Sequence, residues 1–283
     1  VRSLNVPKGF GIIMRLVFGL TKPKQPVLGS ELAGVIEAVG SAVKKFNVGD
    51  PVFAFSDTSM GCHAEYKCMP EDGMVLPKPA GLSFEEAAAL SFGGTTALDF
   101  LRRGNLQCGD KVLVNGASGC VGTAVVQLAR YYGAEITGVC RSDNHALVTS
   151  LGADHVIDYT TEDFTQNGKT YDVIVDTVGN APFSRVKHSL ADNGRLLLMV
   201  AGLPDMLSAP IASMISSKTI IAGPANVRLD DLHFLASLAD AGQFKPVIGR
   251  RYPFEHFIDA HRYVDSGRKI GSVSLILEQG MSA

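Results

Sequence analysis

The chain lacks any closely spaced set of cysteines or histidines. Its five cysteines, Cys62, Cys68, Cys108, Cys120 and Cys140, are odd in number and scattered. That argues against a disulfide framework and suits a reducing, cytoplasmic setting. The seven histidines are dispersed as well, without metal-ligand spacing. Charge of one sign is also lacking, since 26 basic and 28 acidic residues leave a formal net charge of -2. No basic field points to nucleic acid and no polybasic anchor to a membrane surface. Long apolar runs are absent too. The stretch 10–20 is broken by Gly11, Arg15 and Gly19, is too short to span a bilayer and has no small-residue cleavage site. The first residue is Val1 rather than Met, which reads as a fragment or a processed start.

What is present is an ordinary globular balance. The 283 residues are 46% hydrophobic and 19% charged, enough for one large domain or two modest ones with a sizeable core. The text changes character near residue 80. Before it, short β-like runs at 34–39, 51–55 and 63–68 are separated by turn glycines, which predicts a compact β-rich unit. Ser83-Phe-Glu-Glu86 fits a capping box opening a helix over 85–90, and a second helix is expected over 96–103. From Lys111 a βα alternation takes over, with strands expected at 112–115, 136–140, 155–158, 171–176, 195–200 and 219–222. Helices are expected at 121–132, 146–151 and 183–190. Strands alternating with helices at this spacing predict parallel βαβ units, an α/β doubly wound sheet. The tail adds helices at 229–241 and 255–264 and a closing strand at 272–277. The segment 204–217, rich in Met, Ser and Pro, reads as a mobile connection or a lining of a substrate cleft.

Asn115-Gly-Ala-Ser-Gly-Cys-Val-Gly122 stands between a buried strand and an amphipathic helix, the context a dinucleotide fingerprint requires. Gly116 and Gly119 permit a tight turn and close backbone approach to a pyrophosphate, and Gly122 lets the helix pack on the strand. The N–H groups from Ser118 through Cys120 to Val121 then face the phosphates, helped by the helix dipole. An NAD site usually puts an acid at the tip of the second strand, about 20 residues past the loop. Here that tip reads Val139-Cys140-Arg141-Ser142. A guanidinium and a hydroxyl suit a 2′-phosphate, so NADPH is favoured, with NADH possible. Asp143 could repel that phosphate, but it more readily caps the following helix.

These residues resemble the zinc-independent quinone oxidoreductase-like branch of the medium-chain dehydrogenase/reductase superfamily. The matching stretches are Pro26-Val-Leu-Gly-Ser-Glu-Leu-Ala-Gly34, Gly49-Asp-Pro-Val52, Leu82-Ser-Phe-Glu-Glu-Ala-Ala-Ala-Leu90 and Gly116-Ala-Ser-Gly-Cys-Val-Gly122. Ser150-Leu-Gly-Ala-Asp-His-Val-Ile-Asp-Tyr159, Tyr171-Asp-Val-Ile-Val-Asp-Thr-Val-Gly179 and 267–273 match as well. The resemblance implies a Rossmann domain over 83–222, inserted in a GroES-like β-rich catalytic domain over 1–82 and 223–283 whose N-terminal part is shortened. It places the cofactor between the two, with Thr96, Tyr159, Val178, Gly179, Val200, Ala201 and Gly202 among the residues around it. It also implies a homodimer, with the edge near 219–222 as its interface.

Zinc-dependent relatives carry a His before the Glu of the Gly-x-Glu stretch, where this chain has Gly29-Ser30-Glu31. They also carry a lobe of close cysteines that is missing here. Cys62 and Cys68, six apart, would share one face of a strand, and His63 reads as a strand-surface histidine rather than a proton donor. No metal is therefore expected. Without a Lewis acid, alcohol oxidation is poorly supported. Hydride delivery to an electrophilic acceptor is favoured, first a quinone and next a C=C conjugated to a carbonyl. The reading from a different class is a non-catalytic NADPH-binding sensor or partner-binding protein. The catalytic residues are not identified.

Overall fold

The computed structural model describes residues 9–277. In chain order the elements begin with α1 (Gly11–Phe18), β1 (Glu31–Val35), β2 (Pro51–Phe55), β3 (Val75–Pro77) and α2 (Phe84–Arg103). There follow β4 (Lys111–Asn115), α3 (Cys120–Tyr131), β5 (Glu135–Cys140), α4 (His145–Ser150), β6 (His155–Asp158), β7 (Tyr171–Asp176) and α5 (Phe183–Val186). The rest are β8 (Leu190–Leu198), α6 (Leu203–Ile215), β9 (Thr219–Ala222), α7 (Leu229–Asp240), β10 (Ile248–Pro253), α8 (Phe257–Asp265) and β11 (Ser272–Ile276). The chain divides into two compact units. Among the described residues, one holds Met14–Phe92 and the chain from Arg228, and the other holds Gly93–Val227 with the residues before Met14. The divisions therefore fall inside α1, inside α2 and just before α7. No helix among the described residues is long and apolar enough to cross a membrane.

The second unit is built on six parallel strands in the order β6-β5-β4-β7-β8-β9. Both faces of such a sheet are covered, so its strands read as nearly unbroken apolar runs. Val112, Leu113, Val114, Ile136, Val173, Ile174, Val175, Leu196 and Leu197 are all fully buried. The chain leaves β4 toward β5 and β6 on one side and resumes with β7 on the other. That reversal opens a crevice at the carboxyl ends of β4 and β7, where ligands of doubly wound sheets bind.

The first unit contains an antiparallel sheet, β1-β2-β3, and a parallel pair, β10-β11. Here the expectations need correction. The segment 63–68 is not a strand. The chain from Gly61 to His63 donates its N–H groups to the carbonyls of Val27, Gly29 and Leu28, and the third strand is β3 instead. Cys62 is accordingly buried and Cys68 exposed, not paired on one face. The first strand ends at Val35 rather than Val39.

Further differences are local. The two expected helices over 85–90 and 96–103 are one, α2. The capping box forms as expected, with Ser83 N–H donating to Glu86 Oε2 at 3.0 Å and Glu86 N–H to Ser83 Oγ at 3.2 Å. The helix passes through Gly93, where a side chain would press on Cys120 Sγ, 3.0 Å from the Cβ position. The fifth strand starts at Leu190 and ends at Leu198, which leaves α5 as a single turn. The segment 204–217 is mostly the helix α6. Pro204 sits in its first turn, where no N–H is needed.

Candidate active site

The dinucleotide loop is formed as its glycines demand. Gly116 has φ +85°, and a Cβ on it would stand 2.5 Å from Thr177 Oγ1 and 2.6 Å from Val178 Cγ2. At Gly122 a Cβ would collide with the Gly116 carbonyl oxygen and approach Ala117 Cα to 2.9 Å. Gly119, the residue before α3, behaves differently: its Cβ position meets only Gly116 O, at 3.4 Å, so one face of the loop is open. This is the cradle a pyrophosphate needs, facing the first turn of a helix whose leading N–H groups find no acceptor within the helix. One donor expected to face the phosphates is already engaged, since Gly119 N–H donates to Gly116 O at 3.0 Å.

A buried carboxylate organises the neighbouring turn. Asp176, 1% exposed at the end of β7, accepts the N–H groups of Val178 and Gly179 on Oδ1, both at 3.0 Å, and that of Ala181 on Oδ2 at 2.9 Å. Asn115 Nδ2 donates to Asp176 Oδ1 at 2.9 Å and to Asn180 Oδ1 at 2.7 Å. The Thr177 hydroxyl donates back to Asn115 O at 2.9 Å. The phosphate loop and the turn 177–181 are thus one hydrogen-bonded body. Gly179 (φ +88°) packs against Val200, whose Cγ1 lies 2.9 Å from the Cβ position. Val178 and Val200 remain partly exposed beside it. Ala201 follows, and Gly202 opens α6 with its N–H on Asp205 Oδ2 at 3.3 Å. Thr96, on α2 one turn beyond the Gly93–Cys120 contact, is buried.

The other end of the loop leads to β5 and β6. Asn144 Nδ2 donates to Ser118 Oγ at 3.2 Å and ties the turn 142–144 to the phosphate loop. Arg141 and Tyr159 are exposed, and Tyr159 N–H reaches back to Cys140 O at 3.4 Å. Ser142 N–H donates to Asp158 Oδ2 at 3.1 Å. Asp143 does not cap α4: the capping position is Asn144, and no side-chain cap bond forms. All the expected cofactor residues therefore lie in the second unit, Thr96 on α2 and the others along the carboxyl ends of its strands or on the elements that follow them. Asp158, Asp176 and Asn180 were not expected from the sequence, although an acid ending an apolar strand, as in Val-Ile-Val-Asp176, is a readable signal.

In the first unit, Gly29-Ser30-Glu31 leads into β1. Glu31 accepts the Phe92 N–H at 2.7 Å, and burial raises its pKa to about 7 against the opposing pull of that bond and of Lys269. His63 is not on a strand surface. It is half-buried, its ring packs on Gly29 at a position that admits no side chain, and His261 lies 6.0 Å away. Burial first and His261 second lower its pKa to about 4. Among the described residues no group of three or more His, Cys, Asp or Glu side chains could hold a metal ion.

Comparison with known proteins agrees with this architecture. Residues 10–80 match the alcohol dehydrogenase GroES-like domain, and residues 151–275 match the family described as zinc-binding dehydrogenase. The chain is 33% identical to the quinone oxidoreductase of Rattus norvegicus over 272 residues, covering 90% of this chain and 82% of that one. It is 31% identical to the NADPH-dependent alkenal/one oxidoreductase of Arabidopsis thaliana, covering 89% of this chain and 64% of the other. Among solved structures, Escherichia coli quinone oxidoreductase complexed with NADPH superimposes with a TM-score of 0.77 at 26% identity, over 96% of this chain and 89% of that one. The chain belongs to the quinone oxidoreductase-like family of medium-chain dehydrogenases/reductases and is an oxidoreductase.

Proposed function

We propose that this oxidoreductase uses NADPH to reduce a quinone, without zinc. The observation that carries the reading is the open glycine cradle at Gly116–Gly122, locked to the turn at 177–181 and followed by Arg141 at the adenosine side. When bound, the nicotinamide supplies the hydride. The protein's part is binding and placement. The first turn of α3 balances the pyrophosphate, and Arg141 with the Ser142 hydroxyl meets the 2′-phosphate. Asp176 holds Val178 and Gly179 in one conformation, so the ring is met by fixed apolar surface that excludes water. The Gly29-Ser30-Glu31 stretch offers a hydroxyl where zinc-dependent relatives carry an imidazole, and that donor set does not fit a catalytic zinc site. Acceptors that are already electrophilic follow from this, quinones foremost. The likeness to an alkenal/one oxidoreductase supports conjugated enones as a second acceptor class. A homodimer joined along the edge strand β9 belongs to the same reading, with the exposed Leu207, Ile211, Met214 and Ile215 stripe of α6 beside it.

The test follows NADPH absorbance with a panel of quinones and enones. Saturable oxidation with quinones is expected. Tight NADPH binding without turnover of any acceptor would overturn the reading in favour of a sensor or partner-binding role.

A further inference from the structure

The adenosine side of the site holds a carboxylate with no part in the reading so far. β5 and β6 run parallel with Cys140 opposite Asp158, so the tip of β6 stands beside Arg141 and Ser142. Asp158 Oδ2 accepts the Ser142 N–H at 3.1 Å, and Oδ1 accepts the Thr160 N–H at 2.9 Å and the Thr160 hydroxyl at 2.7 Å. These donors fix the carboxylate in place, and the Thr160 bonds foremost draw its pKa down to about 2. Its charge is felt nearby: the Cys140 thiol is pushed up to about 11, mainly by burial and then by Asp158. A phosphate resting on Arg141 and Ser142 would find the Ser142 N–H already taken and a fixed negative charge just behind it. Asp143, in the same turn as Ser142, adds a second carboxylate. Arg141 is the one cation of this turn, against two acids.

A ribose diol meets no such opposition, because a neutral hydroxyl is not repelled by a carboxylate and can donate to it. Resting on the cofactor reading above, we propose that Asp158 sets the balance between NADPH and NADH. It weakens the hold on the 2′-phosphate and leaves the diol untouched, so the protein accepts both cofactors with only a modest preference. In an aqueous dielectric, a fixed carboxylate close to a phosphate of charge near -2 would weaken binding by about tenfold.

The test is calorimetric titration of NADPH and NADH into the unsubstituted protein, Asp158→Asn and Thr160→Val, at low and high salt. Asp158→Asn is expected to tighten NADPH about tenfold and to leave NADH within about twofold. Thr160→Val removes one donor but keeps the charge, so the ratio of the two affinities should stay unchanged. Salt should shrink the effect of Asp158→Asn. An equal change for both cofactors would overturn the proposal, as would a Thr160→Val variant that reproduces the shift. An unsubstituted protein that binds neither cofactor would overturn the cofactor reading itself, and this inference with it.

Discussion

Single residues around the phosphate loop do separable jobs. Gly122 has no room for a methyl group, because the Gly116 carbonyl and Ala117 Cα fill that space. Gly122→Ala must push the start of α3 off β4 and is expected to cost about 2–3 kcal/mol of stability, measured by urea unfolding. Gly119 faces open space, so Gly119→Ala should leave stability nearly unchanged and act on cofactor affinity instead. In the proposed site Arg141 is the cation of the adenosine side. A charge-assisted contact to phosphate is worth about 1.5–3 kcal/mol, so Arg141→Ala should weaken NADPH by about one to two orders of magnitude and NADH far less. Equal losses for both, in the same titration, would remove Arg141 from the phosphate site. Cys120 starts α3, where the helix end favours a thiolate. It is partly exposed, and alkylation followed by mass spectrometry should show it modified in the free protein and shielded by NADPH. The same labelling rate with and without cofactor would contradict that placement.

At the scale of elements, the turn after β7 stands or falls with Asp176. Its buried carboxylate satisfies three backbone N–H groups and one amide. Asp176→Ala strands those donors and should lower stability by about 3 kcal/mol or more. Asp176→Asn keeps one acceptor and should lose less stability, while still loosening Val178 and Gly179 and raising the KM for cofactor. A variant with unchanged unfolding and unchanged KM would show the turn to be held by something else. The same scale explains what could be read in advance. The parallel strands were legible because a sheet covered on both faces writes apolar runs such as Val112-Leu-Val and Tyr171-Asp-Val-Ile-Val, and the glycine loop because Gly116 and Gly122 each answer a specific contact. The helix α6 was hidden by its prolines and serines, although Pro204 suits a first turn. The role proposed for Asp158 was hidden more deeply. It depends on β6 pairing with β5, a relation between residues 16 apart that no local pattern announces.

For the molecule as a whole, two partly buried, desolvated titratable groups in the first unit set opposing pH slopes on stability. Unfolded, Glu31 releases its proton near 4.5; folded, it holds the proton to about 7. Between those values the folded chain carries the extra proton, so this group removes stability as pH rises through the interval. His63 acts in the other sense. Unfolded, it takes a proton below 6.5, but folded only below about 4, so it removes stability as pH falls through that range. Where the intervals overlap, from 4.5 to 6.5, the two slopes oppose and largely cancel. Substitution separates them. Relative to the unsubstituted chain, Glu31→Gln should gain stability steadily as pH climbs from about 4.5 to 7, with no further gain above that. His63→Gln should instead gain as pH drops from about 6.5 toward 4. Urea midpoints taken across this range for the three proteins make the comparison directly. Parallel curves would mean that neither group is desolvated as the fold places it, whereas curves that diverge toward opposite ends of the range identify Glu31 and His63 as the pair that flattens the protein's stability between about pH 4.5 and 6.5.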